Sequence, residues 1–420
     1  MRGRFVGVTS SEESGSEISC GWRVVAASAL GVTCGVTAVP IYTVGAFVAP
    51  LQQEFGWSRG EIQAATVFAY LAVVVAGPLA GGIADRHGAR VVALWSIVGI
   101  ALGVASAAAL THSLAGLYAA YALIGVLGAG TAPGIWTRAI SGWFDRRRGL
   151  ALGLTLMGTG IFATFGPRYV TWAIETFGWR GGYLALAVLP LVIVLPAALA
   201  WFRERPVSAI REAAAETSSA ASGLDLAAAL RTPSLWLLMV TFLMFSTVIS
   251  GVIGSFIPML TDSGYTPAEA AATAGVIGLA VMAGRVAVGL MLDRVAAPIL
   301  SAIVMSLPAL ACALWAGSGG GSAAPILAAV LVGLAGGAEF DLVAYMAARY
   351  FGLTHYGKIT SVLFSAIIAG GALGPALFGY SFDAFGGYGQ VLAASAAIFV
   401  VAGAAQLVLL RWSAPSLVRP

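Results

Sequence analysis

Apolar stretches of about 20 residues or more alternate with short polar turns from residue 22 to residue 411. Each is long enough to cross roughly 30 Å of hydrocarbon as a helix. Twelve are predicted, at 22–50, 60–84, 91–111, 114–140, 149–174 and 180–201, then at 233–260, 267–292, 298–317, 323–348, 358–381 and 388–411. They are numbered spans 1 to 12. Residues 202–232 form the one long polar interruption, rich in Arg, Glu, Ser and Ala, and read as a linker between two bundles of six. The pattern predicts an all-α membrane protein with a tail at 1–21, a bundle at 22–201, the linker at 202–232, a bundle at 233–411 and a tail at 412–420. Leu224 to Leu230 within the linker reads either as an amphipathic helix on the membrane surface or as plain flexible chain.

The two bundles repeat each other at an offset of 208 residues without a gap. Pro50 returns as Pro258, and Gly56, Trp57, Ser58 and Glu61 return as Gly264, Tyr265, Thr266 and Glu269. Gly81, Asp85 and Arg86 return as Gly289, Asp293 and Arg294, Gly166-Pro167 as Gly374-Pro375, and Phe177-Gly178 as Phe385-Gly386. Ser58-x-x-Glu61 and Thr266-x-x-Glu269 each open a span as a capping box, and their equivalence argues for architecture. Transporters built from parallel repeats hold substrate near the midplane between the halves. Departures from the repeat therefore become informative.

Composition sharpens the class. With 59% hydrophobic and 10% charged residues, the chain is far from the roughly one-quarter charged content of a soluble domain. The net charge of +4 does not point to nucleic acid, because the basic residues lie at span ends and in loops. Of 22 Lys and Arg, eighteen fall on one side of the topology; Arg59 and Arg180 fall on the other, and Arg168 and Arg285 lie within spans. The positive-inside rule then places both termini and the linker in the cytoplasm. No cleaved leader is read from the polar, acidic stretch Ser10 to Glu17. Cys20, Cys34 and Cys312 are scattered and suggest neither disulfide nor metal framework, and no cofactor is expected. One Lys among 22 basic residues, with abundant Ala and Gly, suggests a GC-rich bacterial genome and hence a bacterial inner membrane.

Two motifs go further. Gly81-Gly82-Ile83-Ala84-Asp85-Arg86-His87-Gly88-Ala89-Arg90, between spans 2 and 3, resembles the signature loop of the major facilitator superfamily, with Gly289 to Arg294 as its degenerate copy. Trp143-Phe144-Asp145-Arg146-Arg147-Arg148-Gly149-Leu150-Ala151-Leu152-Gly153 resembles the entry to span 5 in the monocarboxylate transporter and oxalate/formate antiporter branch. Its basic run also serves as a positive-inside anchor. The resemblance covers essentially the whole chain. It implies twelve helices in two pseudo-symmetric six-helix bundles, alternating access, and a small organic anion as substrate. Asp85, Arg86, Asp293, Arg294 and Arg146 are then expected to act in gating, the acids pairing with Arg across the seam between halves.

Arg285 is the strongest site candidate. Eight residues from Asp293, it sits roughly 12 Å into the membrane, and its counterpart in the first half is Gly77. A buried Arg is costly unless it faces a wet cavity or a counter-ion, so it either binds substrate or holds a permanent salt bridge. Arg285 and Gly289-Leu290 also fall where the monocarboxylate branch carries its substrate-binding arginine, and a guanidinium fork suits a carboxylate. Glu339 and Asp341 in span 10 break the symmetry at similar depth, opposite Thr131 and Pro133. They are the candidate proton-coupling acids or, alternatively, structural groups; two positions apart on a helix, they point to different faces. Tyr42, Tyr121, Trp136 and Tyr345 are candidate cavity residues, although single aromatics in an apolar bundle commonly just pack. Arg168, near the other end of span 5, pairs with Glu175, gates, or snorkels.

Departures from the branch bear on coupling. Animal monocarboxylate porters carry an Asp four residues before the Arg, where this chain has Val281, and a Lys after a Phe-Pro step where Val39-Pro40 is followed by Ile41 and Tyr42. The second cation of the oxalate antiporter would fall near Gly370-Gly371. One central cation suits one carboxylate. The expected function is a proton-coupled transporter of a small organic monocarboxylate; the alternative is a proton-antiport exporter of drugs, siderophores or other lipophilic compounds. Enzyme chemistry is not expected, since there is no Gly-rich phosphate loop and His87, His112 and His355 lie near span ends or in loops. The expected partners are the anion, a proton and the lipid bilayer, with the chain a monomer.

Overall fold

The computed structural model describes residues 10–144, 147–204, 223–292, 294–318, 323–352 and 355–412. Helices carry nearly all of these residues, and the only extended pairing among them is an isolated bridge between Gly223 and Gly352. Among the described residues, ten helical stretches are long and apolar enough to cross a membrane. Two local features reconcile that number with twelve spans. The 54-residue stretch Arg148–Trp201 is spans 5 and 6 run together across Gly178, whose φ of 72° and ψ of 174° leave the helical region and turn the chain back. Span 1 is interrupted at 34–38 into Ser10–Thr33 and Val39–Phe55. Its first helix also runs back through the acidic segment expected to be tail, to Ser10.

The repeat is visible in the turns. Gly56 (φ 70°) and Gly264 (φ 90°) occupy the left-handed region at one pair of equivalent positions, and Gly178 (φ 72°) and Gly386 (φ 71°) at another. Only glycine adopts this conformation without strain. At the start of span 2 the Ser58 hydroxyl accepts the Glu61 N–H at 3.2 Å while Glu61 accepts the Ser58 N–H at 2.8 Å. Span 8 opens in the same way, with Thr266 and Glu269 exchanging bonds of 3.3 and 2.9 Å.

Each half has its own apolar core, one built around Phe47, Trp136 and Phe162, the other around Phe242, Phe245 and Phe399. Side chains such as Val75, Leu79 and Trp95 are exposed, as a surface solvated by lipid allows. The halves meet where spans 1, 2 and 5 pack against spans 7, 11 and 8 respectively. At the end of the molecule that carries Arg59 this seam is tight. A Cβ on Gly45 would collide with the Gly254 carbonyl, one on Gly278 with the main chain of Thr164 and Gly160, and one on Gly379 with Gly60. Small residues allow such backbone approach without a hydrophobic driving force. Toward the Asp85 end, Gly77, Gly81, Gly153 and Gly289 on the same spans have open space in front of them. The halves are closed at one end and parted at the other.

Candidate functional site

Between the halves lies a cavity of about 140 Å³, whose lining includes Arg285 and Glu339. Two glycines put them there. A Cβ on Gly284 would strike the Leu334 main chain, and one on Gly337 the Val281 main chain, so spans 8 and 10 approach backbone to backbone. Arg285 follows Gly284 directly and is thereby held against the residues just past Gly337. It is 7% exposed, and its Nη1 donates to Asp341 Oδ1 at 3.4 Å. That is long beside the 2.7–2.9 Å typical of charge-assisted bonds. Arg285 Nε, Asp341 Oδ2 and Glu339 Oε1 are buried with no partner among the described residues.

The two acids divide. Glu339, 6% exposed, lines the central cavity, whereas Asp341 reaches the guanidinium from its flank and keeps 26% of its side chain exposed. A buried cation with hydrogen-bonding capacity to spare, beside two carboxyls, is an unsatisfied arrangement. Burying ions is favourable only when their remaining donors and acceptors are also paired. The cluster can therefore accept an anion at Arg285 and protons at the acids.

The first half faces this cluster with broken helices instead of charges. Pro40 offers no N–H, and span 1 opens at 34–38, turning the Val36 N–H out to the Thr131 hydroxyl at 3.0 Å. Thr131 ends a 3₁₀ turn, Ala132 is extended, and Pro133 restarts span 4 as a helix. The Thr131 carbonyl freed by that break accepts the Trp136 indole N–H at 3.2 Å, and the Thr37 carbonyl accepts the Tyr70 hydroxyl at 3.2 Å. The two breaks thus satisfy each other's backbone. Thr37, Tyr42, Tyr70 and Pro133 all line the cavity from this side.

Of the four aromatics expected at the cavity, the structure brings only Tyr42 to it. Trp136 is fully buried against Gly31 and Phe202, serving the break in span 4. Tyr121 lies inside the first half, its hydroxyl 3.4 Å from that of Tyr183. Tyr345 packs against the core of the second half. An aromatic in a uniformly apolar helix has no polar neighbours to fix its phase, so the sequence does not say which way it turns. Tyr70, in the uninterrupted apolar run of span 2, was missed for the same reason.

The model of the Major Facilitator Superfamily matches residues 30–340. The chain belongs to that superfamily. It is similar to mouse monocarboxylate transporter 11, with 28% identity over 384 residues covering 88% of this chain and 83% of the relative. Rat monocarboxylate transporter 13 is 29% identical over 350 residues, covering 78% and 73%. An uncharacterised 38 kDa protein of Thermoproteus tenax is 29% identical over 323 residues, covering 77% and 79%. Among solved structures, a D-xylose-proton symporter superposes with a TM-score of 0.69 at 14% identity, covering 94% of this chain and 98% of that one, which is a likeness of fold. As a major facilitator protein, the chain is a transporter and not an enzyme.

Among the described residues of this facilitator, the expected gate residues do not join the halves. Asp85 forms an ion pair with Arg138, which belongs to the same half. Arg86 and Arg294 are exposed, and Arg146 and Asp293 lie outside the described residues. For Asp85 the expected pairing across the seam is replaced by one within its own half, since the seam is parted at this end. Arg168 is exposed without an ion-pair partner among the described residues, while Glu175 lines a second cavity of about 230 Å³ at the Arg59 end. The cross-seam lock sits at that end. Arg59 donates to both oxygens of Asp262, at 2.6 and 2.8 Å, and to the Tyr388 hydroxyl at 3.1 Å. Its guanidinium lies 3.8 Å from the Phe382 ring centroid, and Asp383 accepts the main-chain N–H groups of Arg59 and Gly60 at 3.1 and 2.7 Å. Behind it, the Gln63 amide donates to Ser255 at 3.1 Å.

Proposed function

We propose that this transporter carries a small organic monocarboxylate across a bacterial inner membrane by alternating access, coupled to protons. The observation that carries the reading is Arg285: a buried guanidinium at the wall of the cavity between the halves, held by one long bond to Asp341. A substrate carboxylate takes the guanidinium fork and displaces Asp341. Two anions cannot then share one cation in a poorly hydrated site, and a proton on Asp341 or Glu339 restores the balance. Release of substrate returns Arg285 to Asp341 and frees the proton. The similarity to monocarboxylate transporters supports the anion, and the absence of charge from the first half's side of the cavity supports a single carboxylate.

Replacing Arg285 with Lys tests it, because a point charge cannot reproduce the bidentate fork. Carboxylate binding should weaken by on the order of 2–5 kcal/mol, the range for truncating a buried charged anchor. Thermal-shift titration of the purified variant reads this directly. Unchanged affinity in a folded Arg285→Lys protein assigns the guanidinium to a permanent bridge.

The orientation proposed puts both termini and the linker in the cytoplasm, so the closed Arg59 end faces outward. An impermeant thiol reagent added outside should then label Ser113→Cys and Ser263→Cys but not Ser218→Cys. The reverse pattern inverts the topology.

A further inference from the structure

If Arg285 anchors a carboxylate, as proposed above, the rest of the cavity wall decides what body that acid carries. Six residues of the lining bear hydroxyl groups, and four of these have already given their hydrogen to main-chain carbonyls. Thr159 donates to Leu156 at 3.0 Å, Ser246 to Ile367 at 2.9 Å, Ser250 to Gly370 at 3.2 Å and Tyr70 to Thr37 at 3.2 Å. A hydroxyl has one hydrogen, so these four can only accept. The donors left for a ligand are Arg285, the hydroxyls of Thr37 and Tyr42, both on the interrupted span 1, and Glu339 when it carries the proton. Tyr42 lines the same cavity as Arg285 and Glu339. The remaining wall is mostly apolar, formed by Ile41, Ile249, Ile253, Phe340, Ile367 and Ile368.

We infer that the substrate is a monocarboxylate with an apolar body of about benzene-ring size, an arylalkanoic or branched aliphatic acid. Apolar cavities of about 150 Å³ accept a benzene ring, and this one measures about 140 Å³. A short keto or hydroxy acid reaches Arg285 and Tyr42 but leaves the isoleucine wall without a partner. Each methylene it lacks forgoes about a four-fold gain in affinity. A dicarboxylate is excluded on other grounds: its second carboxylate meets spent hydroxyls, hydrocarbon, and the like charge of whichever of Glu339 and Asp341 stays ionised. A neutral amide of the same shape fills the apolar space but gives the guanidinium no anion.

The test is a set of binding titrations on the purified full-length protein, with phenylacetate, 4-methylpentanoate, pyruvate, lactate, succinate and phenylacetamide as probes. Phenylacetate and 4-methylpentanoate should bind at least about ten-fold more tightly than pyruvate and lactate, with succinate weakest and phenylacetamide not detected. In Ile253→Thr, which keeps the branch at Cβ but trades the ethyl arm for a hydroxyl, phenylacetate should weaken several-fold relative to pyruvate. Pyruvate or lactate binding as tightly as phenylacetate overturns the apolar body and leaves the carboxylate anchor standing. Phenylacetamide binding as tightly as phenylacetate, or no binding by any acid, removes the anchor and the apolar-body inference with it.

Discussion

The two halves of this facilitator share a scaffold and place polarity within it by opposite means. Left-handed glycines and capping boxes recur at equivalent turns, yet at the level of the cavity the halves diverge at three positions. Gly77, Thr131 and Pro133 in the first half stand where Arg285, Glu339 and Asp341 stand in the second. The first half interrupts two helices there and pairs their freed backbone groups with Thr131, Trp136 and Tyr70. The second keeps the equivalent spans 7 and 10 intact and mounts its ionisable side chains on spans 8 and 10. Backbone polarity cannot change its charge, whereas carboxyls gain and lose protons. The comparison assigns fixed geometry to one half and variable charge to the other.

The largest effect is therefore expected from removing variable charge. Neutralising Glu339 to Gln or Asp341 to Asn should abolish accumulation driven by a pH gradient, while exchange of substrate for substrate persists because that half-cycle moves no net proton. Of the two, Glu339→Gln leaves the Arg285–Asp341 contact intact and so isolates coupling from anchoring. Both activities are measurable in the same liposomes. Gradient-driven uptake that survives in both variants places the coupling proton on neither acid.

A second, smaller effect is expected at the closed end, where the repeat is again instructive. Glu54 and Glu175 of the first half correspond to Asp262 and Asp383 of the second, so the acids are duplicated. The cations are not: Arg59 corresponds to Pro267, and Arg180 to Tyr388. Glu54 is held within its own half by Arg180 at 3.0 Å and by Trp179, whereas Asp262 must take Arg59 from across the seam. Arg59→Gln removes the bidentate pair and should shift the population toward opening at this end by about 1.5–3 kcal/mol, the range for charged hydrogen bonds. Ala372, buried where its carbonyl meets Thr66, reports the change. A cysteine there should react with impermeant maleimide at least about ten-fold faster when Arg59 is Gln. An unchanged rate leaves closure to the glycine contacts alone.

Much of this was legible in the sequence because membrane helices advertise themselves by length and apolarity, and because a gapless repeat lines the halves up residue by residue. Arg285, Glu339 and Asp341 stood out as charges that symmetry did not require. What stayed hidden was orientation. The apolar faces of a membrane helix look alike, so Tyr121, Trp136 and Tyr345 could not be told from Tyr42 and Tyr70. Arg59 read as a loop charge, since its partner lies 203 residues away. The duplicated acids were the available signal for it. The pairing of Asp85 with Arg138, 53 residues further along the chain, had no local signal either. The broken helices had a local signal in Pro40 and Pro133, but a proline near the start of a helical segment is also ordinary.

The smallest effect expected is at those breaks, and it probes the fixed half of the comparison. The Thr131 hydroxyl donates to the Gly128 carbonyl at 2.7 Å and accepts the Val36 N–H at 3.0 Å, so one side chain ties span 4 to span 1. Thr131→Val keeps the shape and leaves a buried N–H without an acceptor, which costs about 1–3 kcal/mol. Thr131→Ser retains the oxygen and serves as the control. Melting of the two variants in detergent should separate by a few degrees, with Ser close to the parent. Carboxylate affinity should change little in either, because Thr131 does not line the cavity and the charges proposed to bind lie in the other half. If Val and Ser melt together, the two breaks are held by packing around Trp136 and not by the bond between them.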